Sequence, residues 1–278
     1  MLRRILFHRK AILIYATVIL YVGISVFPLV WMALASFSKD PYFPLLPTKY
    51  SLVAYKEVLF PSDPSLSFPS WYWNSVKVTF SVTLLATALS AFAGYSFSRF
   101  RFTGHNTLMF AILVGQMLPG VVLLLPLYIY LKNLRLLDTH FGLGVVYMTF
   151  AIPLCTWLLK GFFDTIPTDL EEAAMVDGCS RVGAMARIVL PLAAPGIAAT
   201  ALFAFITAWN DFMFALAILS TPAKFIIGLG LMTYQEEYFF QWNILMAGGV
   251  LMSIPALALY LFLQRYLVTG LTRGAVKG

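Results

Sequence analysis

The chain has 278 residues, 60% of them hydrophobic and only 11% charged, with a formal net charge of +7 and a mean hydropathy of +0.84. A soluble domain carries about 25% charged residues, so 19 basic and 12 acidic side chains are too few to cover a water-exposed surface. Abundant aromatic and branched apolar residues exclude disorder, and lipid must be the solvent for most of the chain.

A bilayer core about 30 Å thick needs about 20 apolar helical residues. Six stretches free of Asp, Glu, Lys, Arg and His stand out: Ala11–Ser38, Val78–Ser98, Asn106–Leu131, Phe141–Leu159, Ile188–Asn210 and Tyr238–Gln264. Alternating strand patterns are absent, so helices are the expected spanning element. The reading is an all-α membrane protein with six transmembrane helices at about 11–37, 71–98, 107–131, 141–163, 192–219 and 241–264, forming a single domain over 1–278. The basic start and Ala33-Leu34-Ala35 resemble a signal peptide with its cleavage site, but the apolar run is longer than the usual 7–15 residues. It is read as a retained first span.

Lys and Arg in short loops set orientation. With the N-terminus inside, twelve basic residues face the cytoplasm: Arg3, Arg4, Arg9, Lys10, Arg99, Arg101, Lys160, Arg181, Arg187, Arg265, Arg273 and Lys277. Seven face outward: Lys39, Lys49, Lys56, Lys77, Lys132, Arg135 and Lys224. Both termini are therefore expected in the cytoplasm. No basic patch interleaved with aromatics lies outside the membrane, so a nucleic-acid partner is not expected. Cys155 falls inside the fourth span and Cys179 in a loop, so no disulfide is expected.

The first outer segment, about 39–70, carries six of the fifteen prolines and should be irregular, with one short amphipathic piece around Ser51–Leu59. It either caps a pathway or simply connects spans. Arg99 and Arg101, after the second span, read as topology anchors. Pro119, Pro126 and Pro153 are expected to kink their spans.

The segment 164–191 between spans four and five has a design of its own. Thr168-Asp169-Leu170-Glu171 reads as a capping box, with Thr168 as N-cap and Glu171 reaching back. A short helix over about 169–176 should end at Asp177-Gly178, where Gly adopts the left-handed cap. Ser180 can cap a second helix, with Val182, Met185, Ala186 and Val189 along one apolar face. Five of the twelve acids, Asp164, Asp169, Glu171, Glu172 and Asp177, fall in this stretch. An anionic inner leaflet would repel them, so the pair should dock in another protein rather than lie on lipid.

Here the sequence resembles a known family. Glu172-Ala173-Ala174, three residues, Gly178, nine residues, then Ile188-Val189-Leu190-Pro191 is similar to the loop signature of ABC importer permeases. The carboxyl end, Gly270 to Gly278, resembles the second permease subunit of carbohydrate-uptake, maltose-type importers. So do Trp209-Asn210-Asp211-Phe212 and Met117-Leu118-Pro119-Gly120. The resemblance implies a type I ABC importer permease fold in a bacterial or archaeal cell (inner) membrane. It implies half of a translocation path for a di- or oligosaccharide or a glycerol-phosphate-like solute. Implied partners are a second permease subunit, two ATPase subunits and an extracytoplasmic solute-binding protein. No cofactor or metal is expected in this chain and no catalysis of its own; ATP and Mg would be bound by the partner ATPase. The loop would be the coupling helix, with Glu171, Glu172, Ala173, Ala174, Asp177, Gly178 and Arg181 as ATPase-coupling residues. The segment Ser220–Phe240, through Thr221-Pro222-Ala223-Lys224 and Gln235-Glu236-Glu237-Tyr238, would touch the binding protein.

Asn210, Asp211 and Gln116 are the candidates for the substrate path. Asp211 is the only acid within the spans, and an intramembrane acid marks either a functional group or a tie between helices. Gln116 either faces the path or bonds a neighbouring helix. The alternatives are an importer of the same fold for a non-sugar solute, or a secondary transporter, which would want more buried ionisable groups. A membrane enzyme fits poorly, since neither a Walker A sequence nor a nucleophile elbow appears.

Overall fold

The computed structural model describes the backbone of residues 2–42, 45–61, 67–234 and 241–275, and side chains between 14 and 266 within those stretches. The helices are α1 (Leu2–Ser36), α2 (Val53–Leu59), α3 (Phe68–Arg99), α4 (His105–Gln116), α5 (Gly120–Asn133), α6 (His140–Asp164), α7 (Asp169–Val176), α8 (Arg181–Ala184), α9 (Leu190–Leu192), α10 (Ala194–Trp209), α11 (Met213–Ile218), α12 (Ile227–Leu231) and α13 (Trp242–Ala275). A π-helical turn, Met185–Val189, joins α8 to α9. Among the described residues the only extended pairing is an isolated antiparallel bridge between Ser38 and Tyr50.

Among the described residues four helices are each long and apolar enough to cross a membrane: residues 14–36 of α1, α3, α6 and residues 242–266 of α13. Two pairs qualify only as broken spans. The α4–α5 pair is bent by 100°, and the stretch Arg181–Leu192 meets α10 at 80°. Within the expected span 107–131, which Pro119 is expected to kink, the chain forms two helices. Pro119 lacks an N–H and adopts extended backbone (φ −60°, ψ 131°), so α4 stops at Gln116 and a new helix starts at Gly120. Pro126 and Pro153 lie inside α5 and α6, which run on past them. The expected span 192–219 holds a break of its own. It breaks at Asn210–Phe212, because Asp211 takes up the backbone N–H groups of Phe214 and Ala215 and starts α11.

The chain divides into two compact units, Met1–Phe68 with Leu231–Ser253, and Pro69–Gly230 with Ile254–Gly278. In the first, the side chains of α1 from Ile14 to Val30 are exposed, and burial begins only near its end, at Ala35 and Ser36. There Ser36 Oγ and Tyr55 OH share a hydrogen bond of 2.8 Å. The described residues of the proline-rich segment up to 61 are irregular as expected apart from α2, which buries Ala54 and Val58 one turn apart. Asn243 donates its side-chain amide to Ser38 O at 3.2 Å.

In the second unit α6 is the central helix. Leu143, Tyr147, Ala151, Cys155, Leu159 and Phe163 are buried along one face at helical spacing. Three layers of core follow it: Val78, Val82, Val146, Ala208 and Ile218 at one end, small residues Ala86, Ala151, Cys155 and Ala204 in the middle, and Ala91, Tyr95, Ile166, Met185 and Val189 at the other. Small residues in the middle layer let helix backbones approach, the usual source of packing energy where lipid replaces water. Towards the α7 end the backbones of α3 and α6 approach at Gly94, where a Cβ would lie 3.0 Å from both Lys160 N and Thr156 O.

Candidate coupling loop and membrane path

The segment between α6 and α10 is a pair of short helices with a locked elbow. Helix α7 carries Asp169, Glu171 and Glu172 in its first turn, where the helix dipole favours anions. It ends in a Schellman motif: Gly178 N donates to Met175 O at 3.1 Å and Cys179 N to Ala174 O at 2.9 Å. Gly178 has φ +88°, and a Cβ there would meet nothing within 4 Å. The elbow therefore needs glycine for its backbone and turns a bare surface outward. Ser180 then caps α8, its Oγ accepting from Gly183 N at 3.2 Å.

Two expectations about this loop need correction. Thr168 sits in helical backbone (φ −66°, ψ −27°) without a side-chain cap bond, so no capping box forms. Glu171 has turned away to a stronger partner. Its Oε1 accepts from Arg99 Nε at 2.5 Å and its Oε2 from Tyr95 OH at 2.6 Å. The apolar face of the second helix also differs, since Val182 and Ala186 are exposed while Ala184, Met185 and Val189 are buried. The π turn at Met185–Val189 adds a residue to the helical turn and rotates the face that follows.

Arg99 is likewise not a surface anchor. Its side chain is 6% exposed and that of Glu171 5%. Arg99 Nη2 donates to Ile166 O at 2.9 Å, and Nη1 to Ser98 Oγ at 2.9 Å. Ser98 Oγ donates to Asp164 Oδ1 at 2.7 Å, and Lys160 Nζ pairs with Asp164 Oδ2 at 2.5 Å. Arg181 packs over the Phe100 ring, 5.2 Å from its centroid. Of the expected coupling residues, Glu172, Ala173, Asp177, Gly178 and Arg181 are exposed, Ala174 is half-buried and Glu171 is buried. The exposed face also carries Leu170, Val176 and Val182.

The path candidates lie at the helix breaks. Gln116 is half-buried at the last residue of α4, and Asn210 is exposed just past the end of α10. The two breaks approach each other: a Cβ on Gly120 would lie 3.7 Å from the Phe214 ring, which packs on Phe150 at a centroid distance of 5.1 Å. The Asp211 carboxylate is occupied. Its Oδ2 accepts from Tyr147 OH at 2.9 Å and Ala215 N at 3.1 Å, and its Oδ1 from Phe214 N at 3.4 Å. Asp211 thus holds the shape of the break.

At the opposite end of this unit from α7, Asp138 staples the segment after α11. Its carboxylate accepts from Ser220 N, Thr221 N, Thr221 Oγ1 and Lys224 Nζ at 3.0, 3.0, 2.6 and 2.8 Å. The bonds from Lys224 and Thr221 outweigh burial and hold Asp138 well below the usual carboxylate range. Trp71 Nε1 donates to Pro222 O, and Asn74 to Ala223 O and Phe225 O. Thr221 and Lys224 thus spend polar groups inward. Gln235-Glu236-Glu237-Tyr238 lies outside the described residues.

A bundle of continuous and broken apolar helices, with an exposed acidic elbow at one end, is built as a membrane transport component. The chain belongs to the family described as binding-protein-dependent transport system inner membrane component, which matches residues 85–273. It is an ABC importer permease of the inner membrane. It is 37% identical to the trehalose/maltose transport system permease protein MalG of Thermococcus litoralis, over 97% of this chain and 98% of that one. It is 34% identical to the sulfoquinovosyl glycerol transport system permease protein SmoH of Agrobacterium fabrum, over 98% and 95%. The diacetylchitobiose uptake system permease protein DasC of Streptomyces coelicolor is also 34% identical, over 94% and 95%. A crystal structure of a bacterial ABC transporter that imports the acidic polysaccharide alginate shares the fold, with a TM-score of 0.79 at 21% identity over 92% of this chain and 95% of that one. The fold also matches, with a TM-score of 0.68 at 15% identity over 92% and 93%, the alginate transporter solved in complex with a periplasmic protein bound to alginate pentasaccharide.

Proposed function

We propose that this chain forms half of the translocation path for a di- or oligosaccharide or a related glycoside. It would act beside a second permease subunit, two cytoplasmic ATPase subunits and an extracytoplasmic binding protein. The relatives named for trehalose and maltose, sulfoquinovosyl glycerol and diacetylchitobiose all carry glycosides, which supports the solute class. ATP and Mg would be held by the ATPase, and this chain would supply the path and the lever.

The observation that carries this reading is the rigid elbow at Gly178. Residues 164–191 and both termini would face the cytoplasm, in keeping with the basic residues on that side. Glu172, Asp177, Arg181 and the bare Gly178 surface, with Ala173 and Ala174, would seat in a groove of the ATPase. Glu171 would act from inside, by holding the loop. Asn210 and Gln116, at facing breaks, would offer amides to sugar hydroxyls, while Asp211 keeps the break open. Broken helices expose backbone polar groups at membrane depth only where a cavity or protein receives them.

The test is ATP hydrolysis by the assembled complex, stimulated by the loaded binding protein across a panel of di- and oligosaccharides. Stimulation by at least one sugar is expected. Stimulation only by a non-sugar solute would overturn the solute class, and transport by this chain alone without ATP would overturn the importer role.

A further inference from the structure

The buried pair Arg99–Glu171 joins segments 72 residues apart in the chain and is not accounted for by docking. Burying two charges carries a desolvation penalty that pairing must offset, so such a pair is weak as a source of stability and strong as a source of fixed geometry. The geometry here is specific. One guanidinium sends Nε to Glu171 on α7, Nη2 to Ile166 O in the link between α6 and α7, and Nη1 to Ser98 Oγ, which donates to Asp164 at the end of α6. Three donors of one planar fork thus tie α3, α6 and α7 together, which a lysine ammonium on its flexible stem cannot reproduce. Tyr95, one turn before Arg99, donates its hydroxyl to the other oxygen of Glu171. Beside Tyr95, Gly94 brings the backbones of α3 and α6 together, a Cβ there lying only 3.0 Å from Lys160 N and Thr156 O.

We infer that Arg99 is a positioning residue that welds the coupling loop to the ends of α3 and α6, so that loop and spans are displaced as one body. Force delivered to α7 then enters α3 directly at its C-terminal turn, without first bending the loop. This rests on the proposed coupling role of the loop. A hinged loop would need a side-chain network able to break and re-form in water, whereas this one is shut away from solvent on both partners.

The experiment has two arms, both in the assembled complex in proteoliposomes. In the first, R99K, E171Q and a surface control, R101Q, are compared for ATP hydrolysed and solute moved. The expected result is ATP hydrolysis close to wild type for all three, with solute moved per ATP falling about tenfold in R99K and E171Q and unchanged in R101Q. R99K keeps the charge and loses the fork, so normal coupling in it would overturn the weld. In the second, spin labels at T168C and F92C, with Cys155 and Cys179 replaced by Ala, report the distance from the start of α7 to α3 with and without ATP. The distance should change by less than about 2 Å, the size of an ordinary helix shift; a larger change in the otherwise wild-type complex would overturn the weld even if R99K fails to assemble. A wild-type complex whose ATPase ignores the binding protein would instead defeat the coupling reading itself.

Discussion

Gly178 shows how much one residue decides. Its φ of +88° excludes most side chains on strain alone, but Asp is among the few residues that visit the left-handed region. Gly178→Asp should therefore fold and insert, yet add a charged side chain to a surface that is bare. Asp211 makes the opposite case. Its carboxylate is spent on Tyr147 and on two backbone N–H groups of α11, so Asp211→Ala should lower stability by about 1–2 kcal/mol, the loss of a helix cap. Thermal unfolding in detergent measures this. The residue reading of the sequence succeeded where the rule was local. Gly178 as C-cap and Ser180 as N-cap follow from neighbours two to five positions away. It failed at Glu171, because a capping box competes with an ion pair to Arg99, 72 residues distant, and nothing in the local pattern announces that partner.

Among the elements, α6 organises its unit, packing most extensively on α10 and meeting the backbone of α3 at Gly94. Gly94→Val would press a branched side chain against backbone atoms already 3.0 Å from an added Cβ, and a backbone cannot rotate away as a side chain can. A loss of about 1–3 kcal/mol is expected, as for other overpacked contacts, read as a lower unfolding temperature of the assembled complex. The staple at Asp138 is the corresponding device at the other end. Its carboxyl is held low in the folded state, so its contribution is present above the unfolded pKa of about 3.9 and is lost only as pH falls through the lowered folded value. Amide exchange at Ser220 and Thr221, corrected for intrinsic rates, should stay slow from about pH 8 to about pH 5, and Asp138→Asn should speed it at neutral pH. The number and order of apolar runs were legible from charge-free length. The 100° bend between α4 and α5 was not: Pro119 announced a break, but its angle depends on packing, with Gly120 set against Phe214. The π turn at Met185–Val189 was equally hidden, since no residue type marks it.

For the molecule as a whole, the scarcity of charge becomes informative through its placement. Acids concentrate between Asp164 and Asp177, where Glu171 is locked inside, Asp164 pairs with Lys160, and Asp169, Glu172 and Asp177 are exposed towards a partner. If this end is cytoplasmic, a membrane-impermeant thiol reagent added to intact cells should label Ala223→Cys and leave Arg181→Cys untouched, both being exposed positions of the folded chain. The reverse pattern would invert the topology. On the proposed function, residues 164–191 carry the work of ATP hydrolysis into the membrane path. The most direct measurement of this is solute moved per ATP hydrolysed in proteoliposomes holding the assembled complex, wild type against Gly178→Asp. The expected result is an assembled variant that hydrolyses ATP while moving at least about tenfold less solute for each ATP. A Gly178→Asp complex that transports at the wild-type ratio would contradict it.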